Sequence, residues 1–113
     1  MSVDASAIGG IGFGNTLPTH WEYYQEKGIL PEWTGSDYGP DTDNVERALE
    51  KKFSGTGFRS TYGYEEPELY AFVKGNSLEE LIQNAPQHVE DMKALGHQGE
   101  LGALRLIVIP FFS

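Results

Sequence analysis

The run Ala-Leu-Arg-Leu-Ile-Val-Ile-Pro-Phe-Phe at residues 103–112 is the most hydrophobic stretch of the chain, and it limits the folds available more than any other segment. Its β-branched and aromatic content predicts a strand, and so apolar a strand needs neighbours on one face at least. Pro110 restricts it further, to an edge position or to a ladder that stops at Ile109. The residues just upstream supply partners. From Phe58 to Lys74 the side chains alternate: Phe58, Ser60, Tyr62 and Tyr64 share one face, and Arg59, Thr61 and Gly63 the other. Leu69, Ala71 and Val73 then alternate with Tyr70, Phe72 and Lys74, which predicts a hairpin turning through Glu65-Glu66-Pro67-Glu68. Ser77 and Glu80 form a capping box for a helix running to Leu95, with Leu78, Leu81, Ile82 and Ala85 inward and Val89, Met92 and Leu95 following. Pro86 predicts a kink there, or two short helices.

The first half reads as what covers or completes this unit. Gly10, Gly12 and Gly14 alternate with Ile11 and Phe13, so a strand over Ile8–Gly14 would carry a bare glycine face. Glycine is a poor strand former, and this spacing predicts close approach by an aromatic ring or another backbone. It is not a phosphate loop: counted from Gly10, the third dinucleotide glycine is Asn15, and no Gly-Lys-Ser/Thr ending follows. Residues 16–40, punctuated by three prolines, hold Trp21, Tyr23, Tyr24, Trp33 and Tyr38. Thr19 and Glu22 predict a cap for a helix of about two turns ending at Gly28. The rings either cover the sheet or form a contact surface. A clearer helix spans Asn44–Phe53, where Val45, Ala48, Leu49 and Phe53 make one apolar stripe. Asp43 and Glu46 mark its start. Read from Asp41, a calcium loop fails at both its glycine and its glutamate positions, which are Glu46 and Lys52.

Taken in order, the elements are β-α-β-β-α-β in a single α+β domain. That order resembles the ferredoxin-like arrangement, which implies a four-stranded antiparallel sheet, two helices on one face and an aromatic-rich insertion after the first strand.

Composition narrows the function. The 113 residues include no cysteine, which excludes disulfides, thiolate zinc sites and thiol catalysis and fits a cytoplasmic setting. No apolar run approaches the ~20 residues of a membrane helix, and the first residues lack the pattern of a secretory signal. Seventeen acids against eight bases give a formal charge of −9, spread over both halves and opposed to nucleic-acid binding. His20, His88 and His97 are scattered, no nucleophile motif appears, and His88 with Asp91 makes two ligands rather than a metal site. The expectation is therefore a non-enzymatic, cofactor-free binding module with an acidic, aromatic surface for a protein partner, itself basic. Inhibitors, immunity-type proteins and phage-encoded modulators share that profile. The residues expected at the contact are Trp21, Tyr24, Trp33, Tyr38, Glu65, Glu66 and Glu68. One alternative is a homo-oligomeric scaffold joined by its open sheet face or last strand edge. Another is a small-molecule binder or small enzyme, with a pocket between the glycine strand and the tryptophans.

Overall fold

The computed structural model describes residues 5–14, 16–35, 39–61, 67–97 and 99–112. Among them the order is β1 (Ala5–Gly12), β2 (Thr16–Leu17), α1 (Trp21–Glu26), α2 (Thr42–Lys52), β3 (Thr56–Thr61), β4 (Glu68–Val73), α3 (Leu78–Ala94), a 3-10 turn (Leu101–Ala103) and β5 (Arg105–Phe112). The class is α+β as expected, but the ferredoxin-like single sheet is not formed. The strands divide into a two-stranded sheet, β1-β5, and a three-stranded sheet, β2-β4-β3, with every pairing antiparallel. Among the described residues there are three α-helices, where that arrangement has two.

The reason lies at one edge of β4. Thr16 and Leu17 pair there with Tyr70 and Leu69, filling the edge a longer first strand would need. Gly14, at φ +85°, adopts the left-handed conformation between β1 and β2 that glycine tolerates best. β1 then lies across β4 instead of beside it. A methyl group at Gly12 would stand 2.9 Å from the Ala71 carbonyl oxygen, and one at Gly10 would stand 3.5 Å from Phe72 Cβ. Both close neighbours that the glycine spacing implied are present, one an aromatic side chain and one a backbone. The Phe72 ring in turn covers Gly57, its ladder partner on β3.

The hairpin pairs Phe58 with Ala71 and Thr61 with Glu68, and Phe58, Ser60, Leu69, Ala71 and Val73 are buried as their alternation requires. Tyr62, Gly63, Tyr64, Glu65 and Glu66 lie outside the described residues. α2 begins two residues earlier than Asp43 and Glu46 suggested. Asp41 accepts the Asn44 N–H while Asn44 Oδ1 accepts the Asp41 N–H, both at 2.9 Å, a reciprocal cap that uses asparagine where glutamate was sought. The Val45–Leu49–Phe53 stripe is buried. α1 starts after His20 with no side-chain cap, so Thr19 does not play that role. Gly28 does end the helix, at φ +74°.

α3 continues as one helix through Pro86, so the two short helices expected as one outcome are not formed. Pro86 and Ile82 are both exposed, so the Ile82 carbonyl that loses its N–H partner can turn to water. Ser77 accepts the Glu80 N–H at 3.2 Å, but the Glu80 carboxylate reaches back to the Asn76 N–H, one residue beyond the expected partner. Leu78 and Ile82 face solvent rather than the core, 70% and 65% exposed. The helix buries only its second half, with His88, Val89, Asp91 and Met92 enclosed. Tyr24, Leu49, Leu69 and Met92 are the largest side chains fully sealed in the interior. Among the described residues no helix is long and apolar enough to cross a membrane.

Candidate functional site

Two places gather polar chemistry. The first is a groove built by α1 and the chain that follows it. Trp21 opens α1, and its indole N–H donates to the Pro31 carbonyl at 2.8 Å, tying the helix to the returning strand of chain. Gly28 reverses the path, so Glu32 and Trp33 come back alongside α1. The two indoles meet edge to face at 5.0 Å and 67°. Gly35 leaves room for the Trp33 ring, which lies against it. Together with Glu22, Gln25, Glu26 and Pro40, these residues enclose a groove of about 440 Å³. Three carboxylates and two indoles line it, and among the described residues no lysine or arginine does. Lys27, next along the helix, is turned onto the Tyr23 ring, 5.0 Å from its centroid.

The expected contact residues divide around this groove. Trp33 is half-buried and forms a wall. Trp21 is buried and fixed by its hydrogen bond, so it offers the groove little surface. Tyr24 is sealed in the core and offers a partner none. Its hydroxyl donates to the Pro18 carbonyl at 2.6 Å, and burial raises its ionisation well above the ordinary range. Tyr38, Glu65 and Glu66 lie outside the described residues. Glu68 begins β4 away from the groove and accepts the Tyr70 hydroxyl at 2.6 Å, a bond that pushes Tyr70 up to about 12. Glu26 and Glu32 were not singled out in the sequence, and Glu22 only as part of a helix cap with Thr19. The available signal was Glu22 and Glu26 four apart on a six-residue helix with no base in its last turn, a like-charge pair that disfavours the helix.

The second place is a buried network joining α3 to β3. The Asp91 carboxylate accepts the Gly55 N–H at 3.1 Å, the Thr56 hydroxyl at 2.9 Å and the Gln87 amide at 2.8 Å. Thr56 has one proton and gives it to Asp91, so its contact with His88 Nδ1 at 2.9 Å is a bond donated by the imidazole. That fixes the tautomer. His88 Nε2 is left as a bare lone pair with no hydrogen-bond partner, on a side chain with no exposed surface. Burial lowers His88 to about 4, with the Asp91 charge pulling upward and His97 adding to the fall. Phe13 stacks on both imidazoles, at 5.7 Å from His88 and 4.6 Å from His97, so two histidines distant in sequence share one ring. His97 also borders an open cavity of about 430 Å³ with Lys93 and Glu100.

Proton bookkeeping makes the Thr56–His88–Asp91 chain look like a relay, but its base is sealed from any substrate. It is a joint between a helix and a strand. Among the described residues no group of three or more histidine and carboxylate side chains could hold a metal ion. No protein-family model, curated protein or solved structure matches the chain.

Proposed function

We propose that the chain is a binding protein rather than an enzyme, and that the groove between α1 and Trp33 takes a basic segment of a protein partner. The observation that carries this reading is the groove lining, with the half-buried Trp33 ring backed by Trp21, three glutamates and, among the described residues, no cation. A lysine or arginine side chain entering it would meet an aromatic face and several carboxylates at once, and both interactions strengthen as water leaves. Filling the groove would also relieve the like-charge pair on α1. The acidity of the whole chain adds long-range attraction for such a partner. With no cysteine to protect and no need of an oxidising compartment, a cytoplasmic setting suits this role.

The test is titration with short arginine- and lysine-rich peptides against glutamine-substituted controls, followed by tryptophan fluorescence. Trp33→Ala is expected to weaken binding by about 2 kcal/mol, roughly thirtyfold, through faster dissociation. Changing Glu22, Glu26 and Glu32 together to glutamine is expected to slow association and flatten its salt dependence. Basic peptides that bind no better than the controls would end the proposal. So would a loss on Trp33→Ala that merely follows lost folding in a melt of the free variant.

A further inference from the structure

We infer that the outer edge of β1 pairs with the same edge of a second copy, joining two β1-β5 ribbons into one four-stranded antiparallel sheet. The ribbon is the least finished part of the fold. It pairs eight residues with eight, from Ala5↔Phe112 to Gly12↔Arg105, and no third strand is bonded to it among the described residues. Two strands alone are marginal in water, and three or more are the usual minimum. Gly10 and Gly12 rest on β4, so support comes from below one end rather than from the side.

Which edge is open follows from Pro110. It has no N–H, and a neighbour added to β5 would place it inside a ladder, where proline is not tolerated. Self-association through the last strand, the sequence-based alternative, is therefore disfavoured. On its outer side β1 presents a donor and an acceptor at every second residue between Ala5 and Gly12, with none of the lysines, prolines or charges that protect natural edges.

Charge identifies the occupant. Two copies of a −9 chain repel over most of their surfaces. Residues 5–12 carry no charge and residues 105–112 carry only Arg105, so the ribbon is where like molecules can meet without that penalty. An antiparallel edge is complementary to itself about a two-fold axis, the commonest symmetry of soluble dimers. Ile11 and Leu106, ladder partners of which Leu106 is 75% exposed, would then lie on one sheet with their symmetry mates.

Analytical ultracentrifugation of the full chain, combined with amide hydrogen exchange, tests this. Expected is twice the monomer mass, dissociating on dilution and tightening with added salt. The β1 amides that point away from β5 should lose about tenfold or more of their protection as monomer appears. Ala7→Lys, which sets like charges near the two-fold axis, is expected to sediment as a folded monomer. A monomer at every concentration overturns the inference, as does a dimer whose β1 amides exchange equally before and after dilution. A folded Ala7→Lys dimer overturns it too. If that variant fails to fold, the exchange measurement on the unaltered chain decides.

Discussion

A methyl group added at residue 10 and one added at residue 12 should have opposite effects, although both glycines lie on the same face of β1. At Gly12 the new carbon would press on a backbone oxygen at 2.9 Å and on Ile107 at 3.1 Å, and a carbonyl held in the β4 ladder cannot rotate away. Gly12→Ala is expected to cost about 1–3 kcal/mol. At Gly10 the nearest atom is Phe72 Cβ at 3.5 Å, an ordinary contact. Gly10→Ala should be neutral, or stabilising by about 0.4–1 kcal/mol because the unfolded chain loses freedom. Urea unfolding of the pair separates them, and equal effects would mean that β1 does not rest on β4. His88 makes the other residue-scale prediction. Its folded value of about 4 lies below the ordinary 6.5, so between those values the unfolded chain binds the extra proton. Stability contributed by neutral His88 is whole above pH 6.5 and falls as the pH drops toward 4, by roughly 3 kcal/mol in all. Glu46, held above its usual range chiefly by burial, contributes a slope of opposite sign but is common to both proteins being compared. The difference between the unaltered chain and His88→Leu, measured by denaturant unfolding from pH 7 to 4, should therefore show the histidine's slope alone. Parallel curves would mean that His88 is solvated.

At the scale of elements, α3 offers the sharpest measurement. Pro86 leaves the Ile82 carbonyl without its helical partner, and the helix continues regardless because the gap faces water. Pro86→Ala restores the N–H and is expected to stabilise by about 1–2 kcal/mol, less than the ~3 kcal/mol of a fully interior proline. A lowered melting temperature would mean that the helix needs its proline. The same helix shows what sequence could disclose. Ser77 as cap, the Val45–Leu49–Phe53 stripe and the 58–74 hairpin were legible because each is set by residues a few positions apart. The exposure of Leu78 and Ile82 was not. Periodicity says which residues share a face, but not how far the sheet beneath extends, and here it supports only the second half of α3. The Thr56–His88–Asp91 joint was half legible: the spacing of His88 and Asp91 put them on one face, while Thr56, thirty-two residues away from His88, carries no local mark.

For the whole molecule, the arrangement of strands turned on a segment too short to carry a pattern. Two residues, Thr16 and Leu17, took the β4 edge, and a two-residue strand has no period to read. Element order therefore suggested one sheet where the chain builds two. The groove was legible in its tryptophans and hidden in its glutamates, because an acid in a chain this acidic looks like solvation until a ring is seen beside it. The β1-β5 ladder has one more consequence, which concerns time rather than energy. More than ninety residues separate Gly12 from Arg105, so β1 leaves the ribosome and waits for all of them before its partner is made. Closing so large a loop is slow compared with forming the local hairpin and helices. Through that interval both edges of an uncharged, glycine-rich strand are bare. The nascent chain is most exposed to wrong pairings just before residues 105–112 emerge, and those residues are the ones that end the exposure.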